Sequence, residues 1–556
     1  MTRRDFLHRS GYAGFAAGPL STWGSLQALS HLGAQGTGTG PTDYRALVCV
    51  FLAGGNDSFG MLVPAPSEGF SSTGWAATNP STVVGQQWQR YQAQRGPLAV
   101  NALFPAGTAL KDAVLPLYQP GGSSLHPQAL HGRMPRLQAI FNGTAFDGEG
   151  TGQDFTPSGR HAAFIQNVGT LVEPVADGSV AELRQGLKQR PKQLQSHNDQ
   201  ILQWQTCFPQ GSSATGWAGR IADLAFGGGG SGNQYAMVSL DGVTPALIGY
   251  RQRHFTDAFG NGRVGLMLDG GAYEARRIAF QGLLREQLGR DPTTGAAVPG
   301  ATVQQTQVLS RAYASTLLQG LDDTVARDGL IKGTPAPPAL LNVRQDHGLT
   351  AKLRRVAHII KAARSNTAFP RRQIFFVTLG GWDHHNGAGS AHFTHLDILD
   401  QALAEFYAQL QALNALNAVT LFTASDFGRA LLPNGDGTDH AWGGHQIVLG
   451  GAVNGGQLYG QYPQLSLALK DNRGVIIPAS PGRDLTGNGT FIPSLAVDQY
   501  MQRLAQWFLT GVVDLTSQNW DPTGNISNWT TVLPNWEGFR PTPQAPQGPL
   551  DDLLPL

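Results

Sequence analysis

Among its 556 residues this chain has only two cysteines, Cys49 and Cys207, too few for a disulfide framework. Cys49 lies inside an apolar run, where a thiol packs as a small hydrophobe, so neither a bridge nor a cysteine nucleophile is indicated. Charge is also scarce, at 14% of residues with a formal net charge of +1. Setting aside three arginines and one aspartate near the N-terminus (Arg3, Arg4, Arg9 and Asp5) leaves −1. A chain so balanced offers no basic face, which argues against nucleic acid as the natural partner. After the N-terminal segment no stretch reaches the ~20 apolar residues of a membrane span. There is no Gly-x-Ser-x-Gly nucleophile elbow and no internal repeat.

What is abundant is glycine and proline, 72 and 34 residues, with 41% hydrophobic residues. That composition describes a globular, loop-rich chain, long enough for one large α/β domain with insertions or for two to three ordinary domains. The N-terminus reads Thr2-Arg3-Arg4-Asp5-Phe6-Leu7 and continues as a mildly apolar Gly/Ala-rich stretch to about Gly36. This pattern resembles a twin-arginine export signal over residues 1–36, the alternative being an ordinary basic helix start. The expected location is periplasmic or secreted, with no transmembrane span in the mature chain. The twin-arginine route carries folded proteins, which suits one assembled with a metal before export.

The strands predicted around Val48, Phe164 to Val168, Phe375, Leu421 and Val448 are continuous apolar runs, as expected where helices cover both faces of a sheet. Apolar stripes at Leu349, Leu353, Val356 and Ile360, and at Leu396, Leu399, Leu403, Phe406, Leu410 and Leu413, predict helices between them. The Phe375 and Leu421 strands, joined by the second of these helices, are expected to be parallel. The fold class read from this order is α/β, a mostly parallel central sheet with helices on both faces. Residues 42–226 and 339–513 form its two parts, and 227–338, opened by Gly227 to Gly230, an insertion or cap. Residues 65–125 read as a loop-rich excursion and 514–556 as an irregular tail.

Three strands end in glycine and an acid. Val48 to Leu52 leads to Gly54-Gly55-Asn56-Asp57-Ser58, Ile374 to Leu379 to Gly380-Gly381-Trp382-Asp383-His384-His385, and Val419 to Ala424 to Ser425-Asp426-Phe427-Gly428-Arg429. Asp439-His440 and Gly444-His445 come next along the chain. Parallel strands share one C-terminal edge, so these acids and imidazoles can converge and together could hold one or two divalent ions. The candidate ligands are Asp57, Asp383, His385, Asp426, His440 and His445. Two of them have a structural alternative: Asp57, with Ser58, as a helix cap, and Asp426 as a salt-bridge partner of Arg429. His392 and His395 read as capping or solvent-exposed residues at a helix start. In the functional version Arg429 clamps a substrate oxyanion. Ser196 opens a helix with His197 and Asp199, where amides and dipole favour an anionic ester. It is the candidate nucleophile, with a plain N-cap as its alternative and Ser58 as competitor.

Together with Leu125-His126-Pro127, Ser196-His197, Thr215-Gly216-Trp217-Ala218-Gly219-Arg220 and Val497-Asp498-Gln499-Tyr500, these motifs resemble the twin-arginine-exported family catalogued as domain of unknown function 1501. That family is grouped with the alkaline phosphatase and sulfatase superfamily. The resemblance implies Asp57 as the acid after the first strand and Ser196 as nucleophile. It implies Asp383 with His385 as one metal half-site, Asp426 with His440 as the other, and His445 as the closing histidine. The chain departs from the superfamily pattern in the short Asp383 to His385 spacing and in Asp426-Phe427 where an acid-histidine dipeptide is usual.

The expected function is metal-dependent hydrolysis of phosphate or sulfate esters, small-molecule or polysaccharide, using zinc, calcium, magnesium or manganese. The alternative is a catalytically silent relative acting as a binding or assembly partner of another envelope protein, to which the Trp-rich tail with Trp520, Trp529 and Trp536 would contribute.

Overall fold

The computed structural model describes residues 43–71, 74–100, 114–146, 155–176, 180–211, 213–226, 235–242, 244–249, 255–256, 329–341, 343, 348–470, 476–477, 482–512, 529, 532–539 and 549–555. The expected export signal and most of the expected cap lie outside these residues.

Among the described residues nine strands make the central sheet: β1 (Arg45–Leu52), β2 (Ala162–Gly169), β3 (Met237–Ser239), β4 (Phe255–Thr256), β5 (Arg372–Leu379), β6 (Val419–Ser425), β7 (Gly444–Leu449), β8 (Leu458–Gly460) and β9 (Leu495–Ala496). Their order is β8-β2-β7-β6-β1-β5-β3-β4, with β9 also on β2. All neighbours are parallel except β7, which runs antiparallel to both β6 and β2. The sheet is therefore mostly parallel, in agreement with the sequence. The Phe375 and Leu421 strands are parallel too, with β1 lying between them. The reversal at β7 has a physical consequence: its first residues, Gly444 and His445, start at the same edge where β6 ends. Met237–Ser239 and Phe255–Thr256, within the stretch expected to be an insertion, extend the sheet on its β5 side.

The helices that cover the sheet or approach its C-terminal edge are α1 (Val83–Arg95), α2 (Pro135–Asn142), α3 (His197–Thr206), α4 (Trp217–Phe226), α5 (Gly348–Ser365), α6 (Ala388–Ala412) and α7 (Val497–Leu509). Successive side chains of a strand point to opposite faces, and β1 shows why its run is apolar throughout. Ala46, Val48, Val50 and Leu52 enter one core with α2, α5 and α6, while Leu47, Cys49 and Phe51 enter the other with α3, α4 and α7. The tail joins the second core through Val532, Leu533, Leu550 and Leu553. Trp536 is buried there and Trp529, partly buried, packs against the same core, so neither forms the exposed contact surface expected from the sequence. Trp520 lies outside the described residues. Cys49 and Cys207 are free and buried, and burial pushes both thiols up.

Part of the loop-rich excursion is in fact the 13-residue helix α1. Its sequence, VVGQQWQRYQAQR, is mostly polar, and only Gly85, Trp88, Tyr91 and Arg95 are buried, a stripe too narrow and too mixed to read as a helix face. Thr82 caps it by accepting from Gly85 N at 3.1 Å.

The register places the site. Leu52 of β1 stands level with Leu379 of β5 and Ser425 of β6, so the three glycine-and-acid turns leave the sheet side by side. Glycine is required at residue 54, where φ is +119° and a Cβ would lie 2.5 Å from Asp383 N. Only a residue without a side chain lets the first turn press against the second.

Candidate metal centre

Asp383, His385, His440 and His197 meet in front of these strand tips. Asp383 Oδ1 accepts from Arg429 Nη1 at 2.8 Å and lies 3.1 Å from His385 Nε2 and 3.3 Å from His440 Nε2. Asp383 Oδ2 lies 3.5 Å from His197 Nε2. Ligand atoms of His197, Asp383 and His440 all fall within 4.8 Å of one another. A tetrahedral ion with bonds of about 2.0–2.1 Å would hold its donors about 3.3 Å apart, close to the separations of Asp383 from each histidine.

The far side of each imidazole is already held. His197 Nδ1 bonds Asp426 Oδ2 at 2.7 Å, and Asp426 is itself fixed by accepting from Gly54 N at 3.1 Å. With the Nδ1 proton donated to that carboxylate, the Nε2 lone pair is free, and this atom is buried with no hydrogen-bond partner. His440 Nδ1 donates to the Gln195 carbonyl at 2.8 Å, which leaves its Nε2 lone pair facing Asp383. Such carboxylate-imidazole and carbonyl-imidazole pairs fix tautomer and ring orientation in metal sites. His385 Nε2 lies 2.8 Å from His440 Nε2 but outside that group of three, and its Nδ1 looks toward Asp439 Oδ1 at 3.9 Å. The chemistry of this donor set, imidazole nitrogens with a carboxylate, suits zinc or another borderline divalent ion.

The electrostatics favour a cation. The Asp426 hydrogen bond raises the His197 pKa above its ordinary value against the opposing effect of burial, with Asp383 adding to the rise. Burial lowers that of His440, which keeps it neutral, and the bond to Gln195 only partly offsets this. Burial pulls the Asp383 carboxyl up, yet Arg429, His197 and His385 together hold it below the usual range. Asp383 and His385 keep 47% and 41% of their side-chain surface exposed, so the centre opens to solvent.

The hairpin from Arg429 to His440 delivers His440 by pairing it directly with Arg429. Gly437 allows the close packing: a Cβ there would sit 2.0 Å from the His385 carbonyl oxygen. Arg429 is fully buried and its guanidinium is committed on all sides, from Nε to Thr438 Oγ1 at 3.0 Å, from Nη1 to Asp383 and to Gly54 O at 3.1 Å, and from Nη2 to Thr438 O. Ser196 sits at the start of α3 with its hydroxyl on Asp199 Oδ2 at 2.5 Å and makes no cap bond to the backbone.

Two of the candidate ligands lie elsewhere. Asp57 is buried and ion-paired with Arg95 of α1, which holds its carboxyl below the usual range although burial opposes this. His445 is buried between Phe59 and Tyr462, its Nδ1 accepting from Asn167 N at 3.0 Å, and burial drives its pKa down to about 3. Among the described residues neither makes a hydrogen bond or ion pair to the Asp383 group. Ser58, also buried, is remote from solvent. His392, expected as a capping or exposed residue, is buried against Gly60 and Trp382.

The residue that sequence reasoning misses is His197. It stands next to Ser196 in a helix-start motif and reads as part of that motif; the available signal is that α3 follows β2, whose C-terminal end lies at the same edge as the acids. Asp426 stands behind His197 instead of beside the other donors. Asp426→Asn should therefore weaken divalent-ion binding about 10–100-fold without removing a donor atom, measured as Kd by competition with a chromophoric chelator.

Residues 356–477 match the family described as "Protein of unknown function (DUF1501)", a segment that includes Asp383, His385, Asp426, Arg429, His440 and His445. No curated protein sequence matches the chain. Among solved structures, Ps i-CgsB in complex with k-i-k-neocarrahexaose is similar at 10% identity, with a TM-score of 0.23 over 68% of this chain and 70% of that one. Ps i-CgsB crystallised by itself gives the same identity, TM-score and coverage.

Proposed function

We propose that the protein is an exported metal-dependent hydrolase of phosphate or sulfate esters whose cation centre is formed by His197, Asp383 and His440, with His385 as a fourth donor. The observation that carries this reading is the convergence of three donors at ligand spacing while both histidines have their other nitrogens anchored. A divalent ion bound there supplies Lewis acidity toward ester oxygens.

The chain's own residues do the rest. Asp426 and the Gln195 carbonyl orient the imidazoles, and Arg429 fixes Asp383. Ser196, one residue before His197 and at the N-terminal end of α3, is the nucleophile. Its Oγ bonds to the phosphorus or sulfur as the bond to the alcohol oxygen breaks, and its proton passes to Asp199, already 2.5 Å away; the released alcohol oxygen takes a proton from solvent, and water then hydrolyses the serine ester, restoring Ser196. The free amides at the start of α3 favour the anionic group.

Metal analysis of the purified protein, with turnover of 4-nitrophenyl phosphate and sulfate before and after chelation, tests the proposal. The expected result is a stoichiometric ion, with turnover lost on chelation and restored by adding the ion back. Protein without an ion and inactive on both esters removes the reading.

A second reading, a binding role without turnover toward an envelope partner, is favoured by one observation. Arg429 and the Ser196 hydroxyl are both engaged within the protein. A stoichiometric partner on an ion-free protein would select it.

A further inference from the structure

The segment leading into α3 is folded in an unusual way. Gln193 and Gln195 both adopt positive φ, 49° and 73°, a region that side chains other than glycine, asparagine and aspartate rarely occupy. The chain returns to an extended conformation at Ser196, where φ is −86° and ψ is 123°. Two such residues in three are held only where surrounding contacts over-determine them, and they concentrate at functional sites.

The contacts here point at one residue. The Gln195 carbonyl accepts from His440 Nδ1 at 2.8 Å, and the Gln195 side-chain amide donates back to the His440 carbonyl at 3.0 Å. Two residues later the same segment presents His197, whose Nε2 faces Asp383. The rings of His197 and His440 lie 4.4 Å apart, edge to face. One short stretch thus supplies one donor and fixes the tautomer of the donor opposite. An extended Gln195 would turn its carbonyl away from His440.

We propose that Gln195 is a positioning residue for the cation centre: its left-handed backbone and its amide clamp His440, so that the 193–197 segment sets both histidines at once. This rests on the reading of His197, Asp383 and His440 as ion ligands. The clamp makes the centre's affinity depend on a backbone conformation and not only on its donors.

The test measures Zn²⁺ affinity by chelator competition, and the visible absorption of the Co²⁺-loaded protein, in four variants of the full chain. Gln195→Val disfavours positive φ and should weaken Zn²⁺ binding about 10–100-fold and shift the Co²⁺ bands. Gln195→Gly adopts positive φ freely and should recover most of that loss. Gln195→Ala loses only the amide bond to the His440 carbonyl and should show a smaller loss; it decides the matter if the valine variant does not fold. His440→Ala separates the two layers of argument. If it weakens binding while the valine variant, or in its place the alanine variant, matches wild type, the role of Gln195 is overturned. If His440→Ala itself matches wild type, the cation centre is overturned instead.

Discussion

Replacing Asp383 with alanine is expected to weaken divalent-ion binding at least about a hundredfold, about 2.8 kcal/mol at about 1.4 kcal/mol per decade. Among the described residues, only Asp383 turns its two oxygens to His197, His385 and His440 at once, at 3.5, 3.1 and 3.3 Å. It also neutralises Arg429, whose Nη1 lies 2.8 Å from Oδ1. Removing the carboxylate therefore deletes a donor and turns the local charge from attractive to repulsive. Two unit charges about 4 Å apart interact by about 4 kcal/mol at the effective dielectric of a protein surface. Because Asp383 is 47% exposed, solvent screening lowers that figure, and the hundredfold bound allows for it. Calorimetric titration with Zn²⁺ and Mn²⁺ measures the effect. Wild-type affinity in the variant would mean that the three donors converge for another reason.

Arg95→Met is expected to destabilise the fold by about 3–5 kcal/mol, the range for removing one partner of a buried ion pair. Arg95 and Asp57 retain 1% and 2% of their side-chain exposure, so water cannot replace the lost partner. Arg95 Nη1 also reaches the carbonyls of Ala430 and Leu431, at 3.3 and 3.1 Å. One guanidinium thereby ties α1, the turn after β1 and the Arg429 hairpin together.

The pH dependence has a definite sign. In the native protein the Asp57 carboxyl is held low against its own burial, so its contribution to stability is present above the usual carboxylate pKa and is lost as pH falls through the depressed value. Without Arg95, burial prevails and the folded-state pKa rises. The variant's deficit should then shrink as pH is lowered toward about 5, where protonating Asp57 is less costly. Urea midpoints at two pH values measure this directly. The double variant Asp57→Asn/Arg95→Met should regain part of the loss, and a double variant as unstable as the sum of the singles would show that the two residues do not act as a pair.

Arg95 illustrates why part of this molecule is hidden from sequence reading. Asp57 carries the same glycine-and-acid device as Asp383, and nothing local distinguishes them. What separates them is a helix whose last residue, 38 positions away in sequence, takes one acid into the interior, and that helix is too polar in pattern to be recognised. His445 stands at the start of β7, at the same edge, but its imidazole packs against Phe59 and Tyr462 and not among the other donors. His197 is hidden because a histidine after a serine at a helix start looks like capping chemistry.

The sequence by itself determined the layers of this protein and the edge at which its acids emerge. Runs such as Leu47 to Leu52 are apolar on both alternations, and only a sheet covered on both faces buries them fully. It also marked Asp383, His385 and His440 through their clustering near the strand tips. Only the tertiary structure decided that Asp383 stays half-exposed among the histidines while Asp57 is shut into the interior with Arg95. Donor geometry is a property of angles and separations between segments far apart in the chain, and those are set by sheet register, helix packing and two left-handed glutamines that no local pattern encodes.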